Sequence, residues 1–247
     1  MFGLGNNKKR KKMEQEQRLG APLVTHYEPK SVISEQYRTL RTNLEFAQVG
    51  KDVRAIAITS SMPMEGKSTT SANLAYTLGQ TGRNVLIVDA DLRKPTLHRT
   101  FKLNNEQGLT TLLANPEIKF NQIVQKSNDL GLYFLPTGPI PPNPAELIGS
   151  LQMSTLMEEL RDNFDMVIYD TPPVNSVTDA QILSTRVDGV ILVVRQNFAR
   201  KDQVREAKES LENVNANILG FVLNNVPFED SKGYGYYAYY GIEEDEE

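Results

Sequence analysis

The residues best suited by type and spacing to do chemistry lie in one short loop, "SMPMEGKS", at positions 61–68. The loop matches the pattern G-x-x-x-x-G-K-[ST] except at its first position, which is Ser61. In such a loop, backbone N–H groups converge on phosphate oxygens at the N-terminus of the following helix. Lys67 would reach the β- and γ-phosphates, and the Ser68 hydroxyl would ligate Mg²⁺. We therefore predict a nucleotide-binding loop that consists of Ser61, Met62, Pro63, Met64, Glu65, Gly66, Lys67, Ser68 and Thr69.

Carboxylates end two apolar runs that read as buried strands. Asp170 closes "FDMVIYD" (164–170), where it could hold Mg²⁺ through water. Asp89 and Asp91 close "VLIVDAD" (85–91), and two residues of a strand that are two apart point to the same face. Acids are common turn residues at strand ends. Two such ends together with a GKS loop nevertheless favour a nucleotide–Mg²⁺ site.

Strand-like and helix-like segments alternate along the chain. Most of the strand-like runs are apolar throughout, which is typical of strands buried on both faces of a parallel sheet. The predicted strands are 53–59, 85–91, 132–138, 164–170, 189–195 and 218–224. The predicted helices are 31–48, 67–80, 151–162 and 200–213. The pattern predicts the α/β class, with a single P-loop NTPase domain whose mostly parallel sheet carries helices on both faces.

The carboxyl ends of the strands should carry the site, because ligands of open α/β sheets bind in the crevice at that edge. Loop 61–68 and the three acids all fall there. Arg195 and Asn224 end the last two predicted strands and join them. Asn224 is our candidate for an adenine contact, although it could also only cap a turn.

Composition excludes several other classes of function. The chain has 247 residues, 39% of them apolar, and a net charge of −4, so its total charge does not suggest nucleic acid binding. It has no cysteine, which excludes thiolate metal sites and disulfides. It has two histidines, far apart in the sequence, which makes a histidine-rich metal site improbable. No apolar run approaches the roughly 18 residues of a membrane span. These features predict a soluble cytoplasmic protein.

Charge and tyrosine are concentrated at the two ends of the chain. The first end holds "KKRKK" (8–12), and the other holds "EEDEE" (243–247). Five of the ten tyrosines occur in the segment 234–240, in order Tyr234, Tyr236, Tyr237, Tyr239 and Tyr240. We predict a flexible basic arm (1–30), a folded domain (31–228) and a flexible, tyrosine-rich, acidic tail (229–247).

Five motifs in order resemble the bacterial tyrosine kinases, specifically the cytoplasmic CpsD/CapB type of capsule and exopolysaccharide loci. They are "EQYRTLR", "SSMPMEGKST", "VLIVDADLRKP", "DMVIYDTPP" and the tyrosine tail. The resemblance covers about residues 31–241 and departs from the family at Ser61 and Met64, where glycines are frequent. It implies an ATP- and Mg²⁺-dependent protein-tyrosine kinase whose fold is related to the MinD/ParA group.

The resemblance also implies roles for individual residues. Lys67 and Ser68 would bind the phosphates and Mg²⁺, Asp91 and Asp170 would organise the metal, and Asp89 would lie near the attacking hydroxyl. A tyrosine phenol has a pKa of about 10, so it needs a proton acceptor to react at neutral pH. The tail would then be the substrate, phosphorylated on its five tyrosines. The implied catalytic residues are Lys67, Asp89, Asp91, Arg93 and Asp170, of which Arg93 could instead simply pair with an acid.

Assembly and partners are implied in the same way. Glu35, Arg38 and Arg41 lie at i, i+3 and i+6 of a helix, and in the family this helix forms contacts between subunits of a ring. Phosphorylation in trans and weaker self-association of the phosphorylated form would follow. The resemblance further implies a separate transmembrane adaptor, a tyrosine phosphatase and recruitment to the inner face of the cell membrane, without nucleic acid. The basic arm could contact anionic lipid, but we favour a solubilising role.

Two other functions remain open from the sequence. A MinD/ParA-type positioning ATPase would share the sheet and the acidic strands, but its loop carries an early lysine where this chain has Met62. A catalytically weak scaffold could use ATP and phosphotyrosine only to tune an interaction with polysaccharide machinery. Tyrosine phosphorylation in the tail would separate the kinase from the ATPase.

Overall fold

We describe the fold from a computed structural model, which describes residues 20–47 and 52–227. Most of the predicted basic arm, residue 228 of the predicted domain and the whole tyrosine tail lie outside the described residues. None of the helices in the described part combines the length and hydropathy needed to cross a bilayer.

One sheet of seven strands organises the described part of the chain, in the order β3-β4-β2-β5-β1-β6-β7. The strands are β1 (Ala55–Ser60), β2 (Val85–Asp89), β3 (Gln125–Ser127), β4 (Leu132–Leu135), β5 (Met166–Asp170), β6 (Gly189–Arg195) and β7 (Ile218–Asn224). All neighbours pair in parallel except β3 and β4, which are antiparallel. The prediction of a mostly parallel sheet is therefore confirmed.

The short strand β3 escaped prediction because it has no apolar pattern. It consists of a glutamine, a lysine and a serine, and it lies at the sheet edge, half-buried to exposed. Its pairing with β4 is what makes it a strand. The six predicted strands, by contrast, follow apolar runs, and β1, β2 and β5 are buried along their whole length.

Ten helices, several of them single turns, surround the sheet within the described ranges. They are α1 (Val24–Tyr27), α2 (Val32–Ala47), α3 (Lys67–Gly79), α4 (Leu97–Thr100), α5 (Leu109–Ala114), α6 (Phe120–Ile123), α7 (Pro144–Gly149), α8 (Leu151–Asn163), α9 (Asp179–Ser184) and α10 (Lys201–Glu212). The four predicted helices correspond to α2, α3, α8 and α10, with ends within one residue of the predicted ones.

Two apolar clusters, one on each face of the sheet, form the core. On one face, Leu156 and Leu160 of α8 and Leu211 of α10 pack with β-strand residues. On the other face, Leu74 and Leu78 of α3 and Leu44 of α2 pack against the opposite sides of the strands. Helices on both faces are the predicted arrangement.

Residues 20–30 differ from the predicted flexible arm, because they pack on the domain. The Thr25 N–H and hydroxyl both donate to Asn73 Oδ1 of α3, at 3.0 and 2.9 Å, and the Asn73 amide donates to the Pro22 carbonyl at 2.8 Å. Leu23 and Thr25 are buried. The prediction failed here because a polar, Pro-containing segment has no local pattern, and its order comes from a buried asparagine on another element.

Replacing Leu78 by alanine should destabilise the protein by about 2–5 kcal/mol, because Leu78 is fully buried in the core that anchors α3. Leu151→Ala is the matched control, since that leucine is 78% exposed and its loss should change stability by less than about 0.5 kcal/mol. Urea unfolding followed by circular dichroism measures both. Equal destabilisation by the two substitutions would contradict the assigned core.

Candidate active site

The loop between β1 and α3 presents the N-terminus of a 13-residue helix at the centre of the sheet. Gly66, which precedes the helix, has a left-handed φ of 95°. A Cβ at this position would lie 1.9 Å from the Asn224 side-chain nitrogen, so only glycine fits here. Because the first N–H groups of a helix have no partner within it, this position favours an anion.

Glu65 closes the loop from the inside. One of its carboxylate oxygens accepts hydrogen bonds from the Ser61 hydroxyl and from the Met62 N–H, each at 2.8 Å. Ser61 and Glu65 are both fully buried. The serine that stands where a glycine is frequent is therefore accommodated by a hydrogen bond to the loop's own carboxylate. The second Glu65 oxygen is buried and has no hydrogen-bond partner within 20–47 and 52–227.

Two side chains from neighbouring strand ends hold the loop from the outside. Arg195 at the end of β6 donates to the Met64 carbonyl at 3.2 Å, and Asn224 at the end of β7 donates to the Glu65 carbonyl at 2.9 Å. Met64 itself adopts a positive φ of 72°, a conformation that glycine would adopt at less strain. Both predicted strand-end residues thus contact the backbone of the loop.

Three carboxylates converge beside the loop. Asp89 and Asp170 lie directly opposite each other in the parallel register of β2 and β5, and Asp91 follows two residues after β2. Lys67 forms a 3.1 Å ion pair with Asp91, and the Ser71 hydroxyl donates to Asp170 at 3.1 Å. All three carboxylates are buried, and one oxygen each of Asp89 and Asp170 has no hydrogen-bond partner among the described residues.

The charges of Lys67 and Asp91 stabilise each other. Burial opposes the charged form of Lys67, but the attraction of Asp170, Asp91 and Asp89 outweighs it and raises the pKa of the ammonium. Burial likewise opposes the charged form of Asp91. Its pKa is nevertheless lowered, by Lys67 and by the backbone N–H of Lys94. The pair is therefore charged at neutral pH.

For Asp89 and Asp170, in contrast, burial favours the neutral form of the carboxyl group and raises its pKa. Burial and the repulsion of Asp170 raise the pKa of Asp89 to about 8, against the hydrogen bond from the Leu97 N–H. That N–H and the Thr96 N–H donate to one Asp89 oxygen at 2.9 and 3.0 Å, so Asp89 also positions the start of α4. Burial raises the pKa of Asp170, against the attraction of Lys67. A cation bound between these groups would relieve the repulsion.

The residues present fit a hydrated divalent cation rather than a cage of protein ligands. Within 20–47 and 52–227, no group of three or more histidine or acidic side chains is arranged to hold a metal. Mg²⁺ usually takes only one or two carboxylates and completes its shell with water and substrate phosphates. The residues that could hold it are Ser68, Asp91 and Asp170. The Ser68 hydroxyl accepts a hydrogen bond from the Thr96 hydroxyl at 3.2 Å.

Arg93 forms a bidentate ion pair with Asp179, at 2.9 and 3.0 Å, and Asp179 is itself buried. The pair connects the segment after β2 to the first residue of α9. The sequence suggested either a catalytic role for Arg93 or an ion pair with an acid. The structure contains the ion pair. Asp179 could not be found from the sequence because it lies 86 residues from Arg93, in a segment without a motif. The side-chain roles of Glu65 and Thr96 likewise have no signal in the sequence.

The predicted interface residues of α2 lie away from this site and have partners within the chain. Glu35 and Arg38 form a 2.6 Å ion pair on the helix surface, and Arg38 also donates to the Pro29 carbonyl. Arg41 donates to the Thr77 carbonyl of α3 at 3.0 Å. The helix is thus attached to the same element that begins at the loop.

Known proteins similar to this chain include an AAA-domain family and several tyrosine-protein kinases. A family model described as an AAA domain matches residues 53–218. The chain is 47% identical to the tyrosine-protein kinase YwqD of Bacillus subtilis over 90% of this chain and 93% of that protein. It is 37% identical to the tyrosine-protein kinase CpsD of Streptococcus agalactiae over 84% of this chain and 89% of that protein.

Solved structures agree with the sequence relatives. The crystal structure of the chimerical protein CapA2B2 superposes with a TM-score of 0.79 at 44% identity, and the match covers 85% of this chain and 94% of that chain. The septum site-determining protein MinD of Pyrococcus horikoshii, complexed with Mg-ADP, matches with a TM-score of 0.60 at 23% identity, over 72% of this chain and 76% of that chain. This second match shows a shared fold alone.

The relatives named tyrosine-protein kinases match most of this chain and most of their own length. The predicted resemblance, P-loop fold and enzyme class are confirmed. The chain belongs to the bacterial tyrosine-protein kinases of the kind found with capsule and exopolysaccharide synthesis.

Proposed function

We propose that this chain is an autokinase that transfers the γ-phosphoryl group of ATP to Tyr234, Tyr236, Tyr237, Tyr239 and Tyr240 of a neighbouring subunit and thereby regulates capsular or exopolysaccharide synthesis. The observation that carries the proposal is the buried Lys67–Asp91 pair beside Asp170 and Asp89 at the mouth of the loop. The tyrosine-rich segment of the same chain supplies an acceptor.

The residues of the loop would bind and orient the nucleotide. The N–H groups at the start of α3 and the Lys67 ammonium would bind the phosphates, and Gly66 supplies the left-handed φ with which the loop enters the helix. Ser68, Asp91 and Asp170 would hold Mg²⁺, which when bound neutralises charge that develops on the phosphates. Adenine would contact Asn224, whose amide lies on the loop backbone.

Asp89 would accept the proton of the attacking phenol. One of its oxygens holds α4 in place, and the other has no hydrogen-bond partner in the described structure. Its raised pKa, about 8, lies between that of an ordinary carboxylate and that of a phenol. Without a cation this carboxyl is largely protonated at neutral pH, whereas Mg²⁺ bound beside it would favour the ionised form that can accept the proton.

The partners of the proposed kinase follow from the family. A ring of identical subunits, formed through Glu35, Arg38 and Arg41 of α2, would present each tail to the next active site. A separate transmembrane adaptor would recruit the chain from the cytoplasm to the inner face of the membrane and activate it, and a tyrosine phosphatase would reverse the modification. No nucleic acid takes part in the proposed function, and contact with the membrane is through the adaptor.

A MinD-like positioning ATPase is the second candidate, and the shared fold is the observation that favours it. Met62 stands where that group carries its early lysine, and the tyrosine segment has no role in such an ATPase. Both features support the kinase. The first experiment below separates the two activities.

Incubation with Mg²⁺ and γ-labelled ATP, with and without the cytoplasmic segment of the adaptor, should place phosphate on the five tail tyrosines. Lys67→Met should lower the rate on the order of 100-fold, because a charged donor to the transferred group is lost. Lys208→Met is the control, since Lys208 lies on the exposed side of α10 and pairs with Glu212. Tail-mapped mass spectrometry measures the product. Hydrolysis of ATP with an unlabelled tail under both conditions would favour the positioning ATPase.

A mixture of two variants tests whether the phosphoryl group is transferred within one chain or between subunits. An active chain that carries phenylalanine at all five tail positions is mixed with Lys67→Met, whose tail is intact. Labelling of the Lys67→Met tail would support transfer between subunits. A clean tail in the mixture, with a labelled tail on the wild type alone, would contradict it.

Arg38→Glu should convert the oligomer to a monomer, because it removes a partly exposed cation of α2 and places two acids three residues apart. Arg41 is less suitable for this test, since its guanidinium is tied to α3 and its loss would also disturb the fold. Arg54→Glu, on another surface where Arg54 pairs with Asp52, is the control. Light scattering after gel filtration gives the mass. A variant of unchanged mass would refute the assigned interface.

Glu65→Ala should weaken ATP binding on the order of tenfold, because two hydrogen bonds to a buried carboxylate preorganise the loop. The matched control is Glu158→Ala, which removes an exposed carboxylate of α8. Titration with a fluorescent ATP analogue measures the affinity, and circular dichroism verifies the fold. Unchanged affinity in a folded variant would show that the loop needs no internal support.

A further inference from the structure

Strand β7 leaves one edge of the sheet without a partner strand in the described structure. The strand order ends at β7, which pairs with β6 alone. The Asn224 carbonyl accepts from the Gln196 N–H at 2.9 Å, so the backbone groups of Asn224 point towards β6. Because successive residues of a strand point their backbone groups to alternate sides, the N–H and C=O groups of Phe221 and Leu223 point outward.

The same two residues expose apolar side chains. Phe221 is 51% exposed and Leu223 is 56% exposed, and their spacing of two places both on one face of the strand. Val222 between them packs against the core of the opposite face. Unpaired edges with apolar side chains are normally covered or interrupted, because they pair readily with another extended segment. Here the open edge and the apolar strip coincide.

The chain itself continues from this strand into a segment of matching length. The described structure ends at Pro227, and Asn225 already turns with a φ of 58°. The segment "YGYYAYY" at 234–240 has seven residues, as many as β7. Residues 225–233 form a connection long enough to reverse direction, and tyrosine is among the residues that favour strands. Cross-strand pairing of tyrosine with phenylalanine would cover the exposed strip.

We propose that the unphosphorylated segment 234–240 docks on the free edge of β7 of its own chain as an antiparallel strand. In the register that places Tyr234 opposite Leu223 and Tyr236 opposite Phe221, both rings lie on the face of the exposed strip. The docked segment supplies the missing backbone partners of Phe221 and Leu223 and covers their side chains, in the manner of strand addition. It is thereby kept from the active sites of other subunits until it is displaced.

Phosphorylation releases the segment. Each phosphate adds about −1.5 to −2 charges, which cannot be desolvated against Phe221 and Leu223 without a compensating cation. Phosphates on neighbouring tyrosines of one strand also repel each other. A phosphorylated tail therefore leaves the edge exposed. This release step rests on the proposed function, whereas the docking of the unmodified tail does not.

Amide hydrogen exchange, measured by NMR on the full chain without nucleotide and after phosphatase treatment, tests the docking. Three full-length proteins are compared: the wild type, a variant with phenylalanine at the five tail tyrosines, and a variant with glutamate at the same positions. The Phe221 and Leu223 amides should exchange at least about tenfold faster in the glutamate variant than in the other two. The Val222 and Asn224 amides, which point towards β6, serve as internal controls and should exchange alike in all three.

Each other outcome overturns the proposal. Equal exchange of the Phe221 and Leu223 amides in the three proteins means that the tail does not cover the edge. If the Phe221 and Leu223 amides exchange more slowly when the protein concentration is raised about tenfold, a second copy of the chain covers the edge. Protection that appears only on addition of the adaptor's cytoplasmic segment assigns it to the adaptor.

The release step and the proposed function fail in distinguishable ways. After incubation with Mg²⁺ and ATP, a labelled tail with fast exchange at Phe221 and Leu223 supports both. A labelled tail with unchanged protection overturns release alone. An unlabelled tail contradicts the proposed autophosphorylation, while the nucleotide-free comparison still decides whether the tail docks.

Discussion

Buried like charges impose the main constraint on this protein. The parallel register of β2 and β5 sets Asp89 directly opposite Asp170, and Asp91 follows close by, all of them removed from water. Carboxylates in a low dielectric repel strongly unless a cation lies among them. Lys67 is the cation that the described chain provides, and its ion pair with Asp91 compensates part of the charge. The remaining negative charge at this site favours a bound cation.

The loop that carries Lys67 depends in turn on contacts from distant elements. Glu65 closes it from within, while Arg195 and Asn224 hold its carbonyl groups from the ends of β6 and β7. These hydrogen bonds satisfy backbone carbonyl groups of the loop and fix the path of the loop in front of the helix N-terminus. The end of β7 therefore belongs to the support of the active site, and the tyrosine segment follows that strand in the chain.

Helix α3 connects the site to the amino-terminal part of the chain. It begins at Lys67. Its Asn73 accepts a hydrogen bond from Thr25 and donates one to the Pro22 carbonyl. Near its other end, a backbone carbonyl accepts a hydrogen bond from Arg41 of α2. One rigid helix thus contacts the nucleotide loop, the packed segment 20–30 and the proposed interface helix.

The sequence by itself determined the fold class and most of the site, because both depend on local patterns. Apolar runs predicted six of the seven strands, and strands that end in acids beside a GKS loop predicted a nucleotide site at the carboxyl edge. Residues 20–30, β3, the Arg93–Asp179 pair and the role of Glu65 depended on the tertiary structure. Each of these is defined by a partner that has no fixed spacing in the sequence, or by burial that no local pattern reports. The tertiary structure decided them because hydrogen bonds between distant elements form only when the sheet has brought those elements together.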